Sequence, residues 1–191
     1  MAKREIIILP DKRLRLKSAQ VEKIDKSVRA LVDDMFETMY EAPGIGLAAI
    51  QIGVPQRVVT MDLAKKDEPK QPQVFINPEI TWTSDDKAIA EEGCLSIPDI
   101  YGDVERPAQV RVRALNVDGQ AFEVDADELL ARCLQHEIDH LHGKLFIDYL
   151  SVLKRRAAMA KWNKEKAKYP GGIRRLTAAE VAEHHHRDEE L

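Results

Sequence analysis

His136-Glu137-Ile138-Asp139-His140 form an HExxH motif. On a helix, residues four apart lie on one face, one turn above each other. Two imidazoles so placed can grip one divalent cation, and the carboxylate beside the first can handle a proton. The motif alone is moderately specific, because a helical histidine is more often a hydrogen-bonded structural residue than a ligand. Its surroundings favour the metal reading. Leu129, Leu130, Cys133, Leu134, Ile138 and Leu141 recur at three- and four-residue spacing, which predicts a buried helix from Asp127 to about Leu141 with Gly143 as its stop. Two histidines leave a metal short of a third protein ligand. Glu165 is a downstream candidate on a predicted helix, but Lys161, Lys164, Lys166 and Lys168 mark that stretch as a solvated basic face. No third histidine follows Gly143 at a usable spacing before the tail. Cys94, in Glu92-Gly93-Cys94-Leu95-Ser96, is the upstream candidate, although a lone cysteine is more often a small buried hydrophobe.

The elements that must carry these residues are legible in outline. Val28, Leu31, Val32, Met35, Phe36 and Met39 predict a first helix over residues 25–41, capped by Asp25 and ended before Pro43-Gly44. A glycine-bracketed apolar segment follows, Gly44 to Gly53. Strands are predicted over Val58 to Leu63, Gln73 to Ile76 and Ile80 to Ser84, with a charged loop from Lys65 to Pro72. Val110 to Leu115 alternates apolar and basic residues, and Asp118-Gly119 turns it back into a strand over Ala121 to Val124. A last helix is predicted from Ser151 to Lys168, before Pro170-Gly171-Gly172. The expected fold is α+β: mixed, mostly antiparallel sheets packed around the central HExxH helix, with a C-terminal helix. One catalytic domain is expected over residues 1–170, followed by a loose polar tail over 171–191 that includes His184-His185-His186.

The whole chain fits a soluble globular protein. It has 191 residues, 44% hydrophobic and 32% charged, with a formal net charge of −4, so nothing global points to a nucleic-acid binder or a membrane-surface protein. Ile6 to Leu9 is too short for an export segment, and no apolar run is long enough for a bilayer. Two cysteines, Cys94 and Cys133, suit a reducing cytoplasm rather than a disulfide framework.

The chain resembles the peptide deformylase family, whose three motifs all stand here in the family order. They are Gly44-Ile45-Gly46-Leu47-Ala48-Ala49-Ile50-Gln51, Glu92-Gly93-Cys94-Leu95-Ser96, and Gln135-His136-Glu137-Ile138-Asp139-His140-Leu141-His142-Gly143. The three together are highly specific, and the resemblance spans about residues 5 to 168. It implies hydrolysis of the N-formyl group from the initiator methionine of new proteins, releasing formate.

It further implies Cys94, His136 and His140 as metal ligands, with His142 outside the set. The family's metal is ferrous iron, and this ligand set also suits zinc, nickel or cobalt. By the same resemblance Glu137 moves the protons, while the Gln51 side chain and the Leu95 backbone amide stabilise the oxyanion. Backbone groups around Ile45, Gly46 and Gly93 would hold the peptide as an added strand, and Ile45 and Cys133 would line the methionine pocket. The expected partners are formylmethionyl nascent peptides and, through the basic last helix, the ribosome near its exit tunnel. No membrane and no second subunit are called for, and the expected location is the cytoplasm. Two rivals remain: a general metallopeptidase ligated by Glu165, and a peptide-binding module without turnover, against which Glu137 speaks.

Overall fold

The computed structural model describes residues 4–65 and 67–174. Strands β1 to β9 cover Ile6–Ile7, Gly46–Ala48, Val58–Met61, Gln73–Thr83, Lys87–Cys94, Ile97–Pro107, Gln109–Leu115, Ala121–Asp127 and Ile173–Arg174. Helices α1, α2 and α3 cover Lys26–Glu41, Glu128–Leu141 and Val152–Glu165. All strand pairs are antiparallel, as expected of the α+β class. A five-stranded sheet runs in the order β2-β3-β4-β7-β8, while β5-β6 and β1-β9 form two-stranded ladders.

The five-stranded sheet lies between two helices because its strands alternate. On β3, all of it buried, Val59 and Met61 pack with Phe75 against Leu134, Ile138 and Leu141 of α2. Val58 on the opposite face packs with Ile76 and Leu47 against Val28, Val32 and Met35 of α1. The helix carrying HExxH is therefore a core element, as its apolar face predicts. A third cluster joins β1, β6 and α3 through Ile7, Ile100, Val104, Phe146 and Trp162.

Caps follow the sequence closely. The Asp25 side chain accepts from the amides of Ser27 and Val28, and Ser151 accepts from Lys154. α2 stops where predicted: Gly143 has φ +72°, and its amide donates to the His140 carbonyl.

Three expectations need correction. The predicted strands 73–76 and 80–84 are one strand, β4, interrupted by register shifts rather than by a loop. Asn77 takes φ +51°, and its side chain bonds both the amide and the carbonyl of Val21, at 2.8 and 2.9 Å, in the manner of a strand partner. The β5–β6 hairpin was not anticipated, since Lys87 to Glu91 is exposed and lacks apolar alternation. Finally, the polar segment after Pro170 begins with a seated strand, β9. Residues 175–191, including His184-His185-His186, lie outside the described residues.

Candidate metal centre

Three elements bring the chemistry together. β5 ends at Cys94, a two-residue turn through Leu95 and Ser96 follows, and β6 begins at Ile97. The register jumps from Gly93↔Tyr101 to Cys94↔Ile97, so residues 98–100 form a bulge with Asp99 at φ +61°. Such a bulge re-aims side chains beside a site. α2 contributes His136 and His140, and a short 3-10 turn, Ala49–Ile52, contributes Gln51.

Donor atoms of Cys94, His136 and His140 lie within 4.8 Å of one another, the one such His/Cys/carboxylate group among the described residues. Cys94 Sγ is 3.3 Å from His140 Nε2. A tetrahedral ion with bonds of roughly 2.0–2.3 Å would hold such ligands roughly 3.5 Å apart, so the spacing fits. His136 Nδ1 lies 2.9 Å from Glu92 Oε2; a proton on Nδ1, donated to that carboxylate, leaves Nε2 free to ligate. Burial drives His140 well below the ordinary imidazole range, which keeps it neutral as a ligand must be. Both cysteines are free thiols. Soft sulfur with two imidazoles suits ferrous iron, zinc, nickel or cobalt better than calcium or magnesium.

The other proposed ligand and the extra histidine are engaged elsewhere. Glu165 hydrogen-bonds Lys168 at the end of α3. His142 faces away, between the Ile138 carbonyl at 2.9 Å and Arg57 at 3.2 Å.

Glu137 is buried, and Oε2 has no hydrogen-bond partner. Burial pushes its carboxyl up to about 7, while neighbouring His136 and Arg106 act to lower it and Glu92 to raise it. A carboxyl poised near neutrality can both take and return a proton. Gly46 is required beside it. A Cβ there would sit 2.6 Å from Glu137 Oε1 and 2.9 Å from Cys133 Sγ.

Gln51 is buried rather than a surface residue. Its Oε1 accepts from the Ala48 amide at 2.8 Å, which fixes the flip, and Nε2 points to Ser96 Oγ at 3.2 Å and Cys94 Sγ at 3.5 Å. The amide donor therefore faces Cys94 Sγ.

A cavity of about 340 Å³ opens on this group. Ile45, Gly46, Gln51, Gly93, Cys94, Leu95, Cys133, His136 and Glu137 line it, so nearly every residue singled out from the sequence shares one wall. His140 lies behind the wall, reaching the group through Cys94. The Ile45 carbonyl accepts from the Asp62 amide at 3.0 Å, so the ladder alternation turns the Gly46 amide and carbonyl to the open edge of β2. Leu129, expected on the buried face of α2, is instead 52% exposed at the cavity rim. Burial pushes the Cys133 thiol well above its ordinary range, making it an inert apolar wall.

The residue missed from the sequence is Glu92. It accepts from Arg106 through two bonds (2.6 and 2.9 Å) and from Arg132 at 2.6 Å, besides its contact with His136. Arg106 extends to Asp139 at 2.8 Å. Burial alone would raise the Glu92 carboxyl; the hydrogen bonds from His136 and Arg106 outweigh it and bring it to about 2. Glu92 stood in the quoted motif, but nothing in the chain's pattern marked Arg106, fourteen residues on, as its partner.

Comparisons with known proteins identify the family. A family model for polypeptide deformylase matches residues 3–156. Peptide deformylases of Afipia carboxidovorans and Bradyrhizobium diazoefficiens are 64% and 60% identical, each covered over 86% of this chain and over 96% and 97% of their own length. Among solved structures, a peptide deformylase from Legionella pneumophila superposes with TM-score 0.82 at 48% identity, covering 87% of this chain and 96% of the other. One from Ehrlichia chaffeensis in complex with actinonin gives TM-score 0.82 at 44% identity, covering 89% and 99%.

Proposed function

The chain belongs to the peptide deformylase family, and from that membership we propose that Cys94, His136 and His140 hold its single catalytic metal with Glu137 beside it. The reaction is hydrolytic removal of the N-formyl group from the amino-terminal methionine of new peptides, with release of formate. The observation that carries the site assignment is the convergence of one thiol and two imidazoles next to a buried carboxyl.

Held by Cys94, His136 and His140, a divalent cation would supply Lewis acidity toward a water and the formyl carbonyl. Glu137 takes the proton of the attacking water and passes it to the leaving amine, which departs poorly unless protonated. Gln51 Nε2 and the Leu95 amide donate to the oxygen that becomes negative as the formyl carbon turns tetrahedral. The open edge of β2 at Gly46, with Gly93 across the cavity, pairs with the peptide main chain, and Ile45 and Cys133 flank the methionine side chain. Glu92 orients His136 as the outer partner of a metal-bound imidazole does.

Ferrous iron is the proposed native metal and the cytoplasm the proposed compartment. The described residues contain no helix long and apolar enough to cross a membrane. The protein is proposed to act as a monomer that docks on the ribosome through α3. Arg156 and Lys164 on that helix, and Lys166 just past its end, are exposed without an ion-pair partner among the described residues. Trp162 of the same helix is buried and donates to the Leu9 carbonyl at 3.0 Å, so deleting the helix would open the core. The docking test is therefore R156E/K164E/K166E; unchanged co-sedimentation with ribosomes at low salt would refute that step.

For the reaction itself, formate release from formyl-Met-Ala-Ser is measured on anaerobically purified protein of known metal content. E137A should lower kcat by about 10²–10⁴ while retaining metal. Intact, iron-loaded protein that releases no formate would overturn the reading.

A further inference from the structure

The cavity is lined by an arginine that the reaction above does not use. Arg174 is 8% exposed and lines the same cavity as Cys94, His136 and Glu137. Its Nε is buried with no hydrogen-bond partner, and no carboxylate pairs with it among the described residues. Arg132, in the same wall, donates to Glu92 and to the carbonyls of Val104 and Ala88. Glu91 and Asp99 also line the cavity without bonding Arg174.

The backbone delivers Arg174 there by design of the local chain. After α3 the chain reverses at Pro170–Gly172, with Gly171 at φ +78° and Gly172 at φ +70°, a turn only glycine makes cheaply. The Ile8 amide donates to the Gly172 carbonyl at 3.1 Å, and β9 then pairs Ile173 with Ile7 and Arg174 with Ile6. Tyr169 stacks on the buried Trp162, with ring centroids 6.0 Å apart, and anchors the reversal. Arginine cannot shed its charge in a protein. A buried charge without a counter-ion is costly, and a guanidinium fork pairs best with a carboxylate.

We propose that Arg174 is a specificity-determining residue that takes a substrate carboxylate, namely the acidic side chain of a residue following the formylmethionine. This rests on the deformylase reading. The peptide must lie in this cavity to react, and a nascent chain still joined to tRNA has no free C-terminal carboxylate. A side chain is the carboxylate it can offer.

The test uses the metal-loaded full chain and C-terminally amidated peptides: formyl-Met-Glu-Ala against formyl-Met-Gln-Ala, and formyl-Met-Ala-Glu against formyl-Met-Ala-Gln. At low salt, kcat/KM should favour Glu over Gln by about tenfold at one of the two positions, the size of one charge-assisted hydrogen bond. R174Q should bring that ratio to within about twofold of unity, and R174E should turn the preference toward Lys. A wild-type ratio near unity at both positions overturns the proposal without any variant. So does a ratio that R174Q and R174E leave unchanged. If Arg174 governs only the preference for free-acid over amidated peptides, or only inhibition by added formate, the side-chain assignment is likewise overturned. Absence of formate from every peptide would instead count against the deformylase reading.

Discussion

Gly46 and Glu137 define the tightest contact in the cavity. An added Cβ at Gly46 would press on Glu137 Oε1 at 2.6 Å, and the carboxyl would have to move. G46A is expected to lower kcat by roughly tenfold to a hundredfold while metal content stays at the wild-type level, because positional errors of an ångström are catalytic errors first. Formate-release kinetics with metal analysis check this; loss of metal with retained specific activity per metal would contradict it. Glu92 makes a second residue-scale prediction through pH. Its folded-state carboxyl sits at about 2, below the ordinary 4.5, so it stabilises the fold above pH 4.5 and loses that contribution as pH falls toward 2. The difference corresponds to about 3 kcal/mol. Urea unfolding of metal-free protein at pH 6 and pH 3 should show the loss in wild type and a flatter profile in E92Q. The roles at this scale divide by what local chemistry reveals. HExxH carries its function in its spacing, whereas Glu92 gains its role from Arg106 and Arg132, which reach it only after β5 pairs with β6 and α2 packs beside them.

Elements were legible where one residue period dominates. α1 and α2 follow from their apolar stripes and caps, and β7-β8 from alternation around Asp118-Gly119. β5 was not legible, because its exposed Lys87 to Glu91 is held by pairing with β6 rather than by burial. β4 is not legible as one strand because Asn77-Pro78 is a turn-prone pair; pairing with β3 and β7 and the Asn77 side-chain bonds to Val21 hold the chain there. The stop of α2 illustrates a legible element end with a measurable consequence. Gly143 is at φ +72°, and a Cβ would lie 2.4 Å from the Arg15 carbonyl oxygen, a backbone atom that cannot swing aside. G143A is therefore expected to destabilise by about 2 kcal/mol or more, lowering Tm by roughly 4–8 °C. Thermal unfolding decides it; an unchanged Tm would mean that the His142–Lys144 segment yields without cost.

At the scale of the molecule, the proposed ligands tie together parts that otherwise meet only by packing. Cys94 ends the hairpin whose partner strand belongs to the cluster around Trp162, while His136 and His140 belong to the helix packed on the five-stranded sheet. A cation bound by all three cross-links those two cores, and binding that requires the native arrangement stabilises it by linkage. At free metal a hundredfold above Kd the gain is about 2.7 kcal/mol. For a chain of this size that is a rise in Tm of roughly 5–10 °C. Reloading metal-free protein under anaerobic conditions should show this rise for wild type and for E165A. C94A should bind metal weakly and show little of it, since the thiolate is the one ligand from outside α2. A rise retained in C94A and lost in E165A would move the third ligand to α3 and sink the assignment. The measurement reads the architecture directly, because it asks whether the metal couples the hairpin to the sheet.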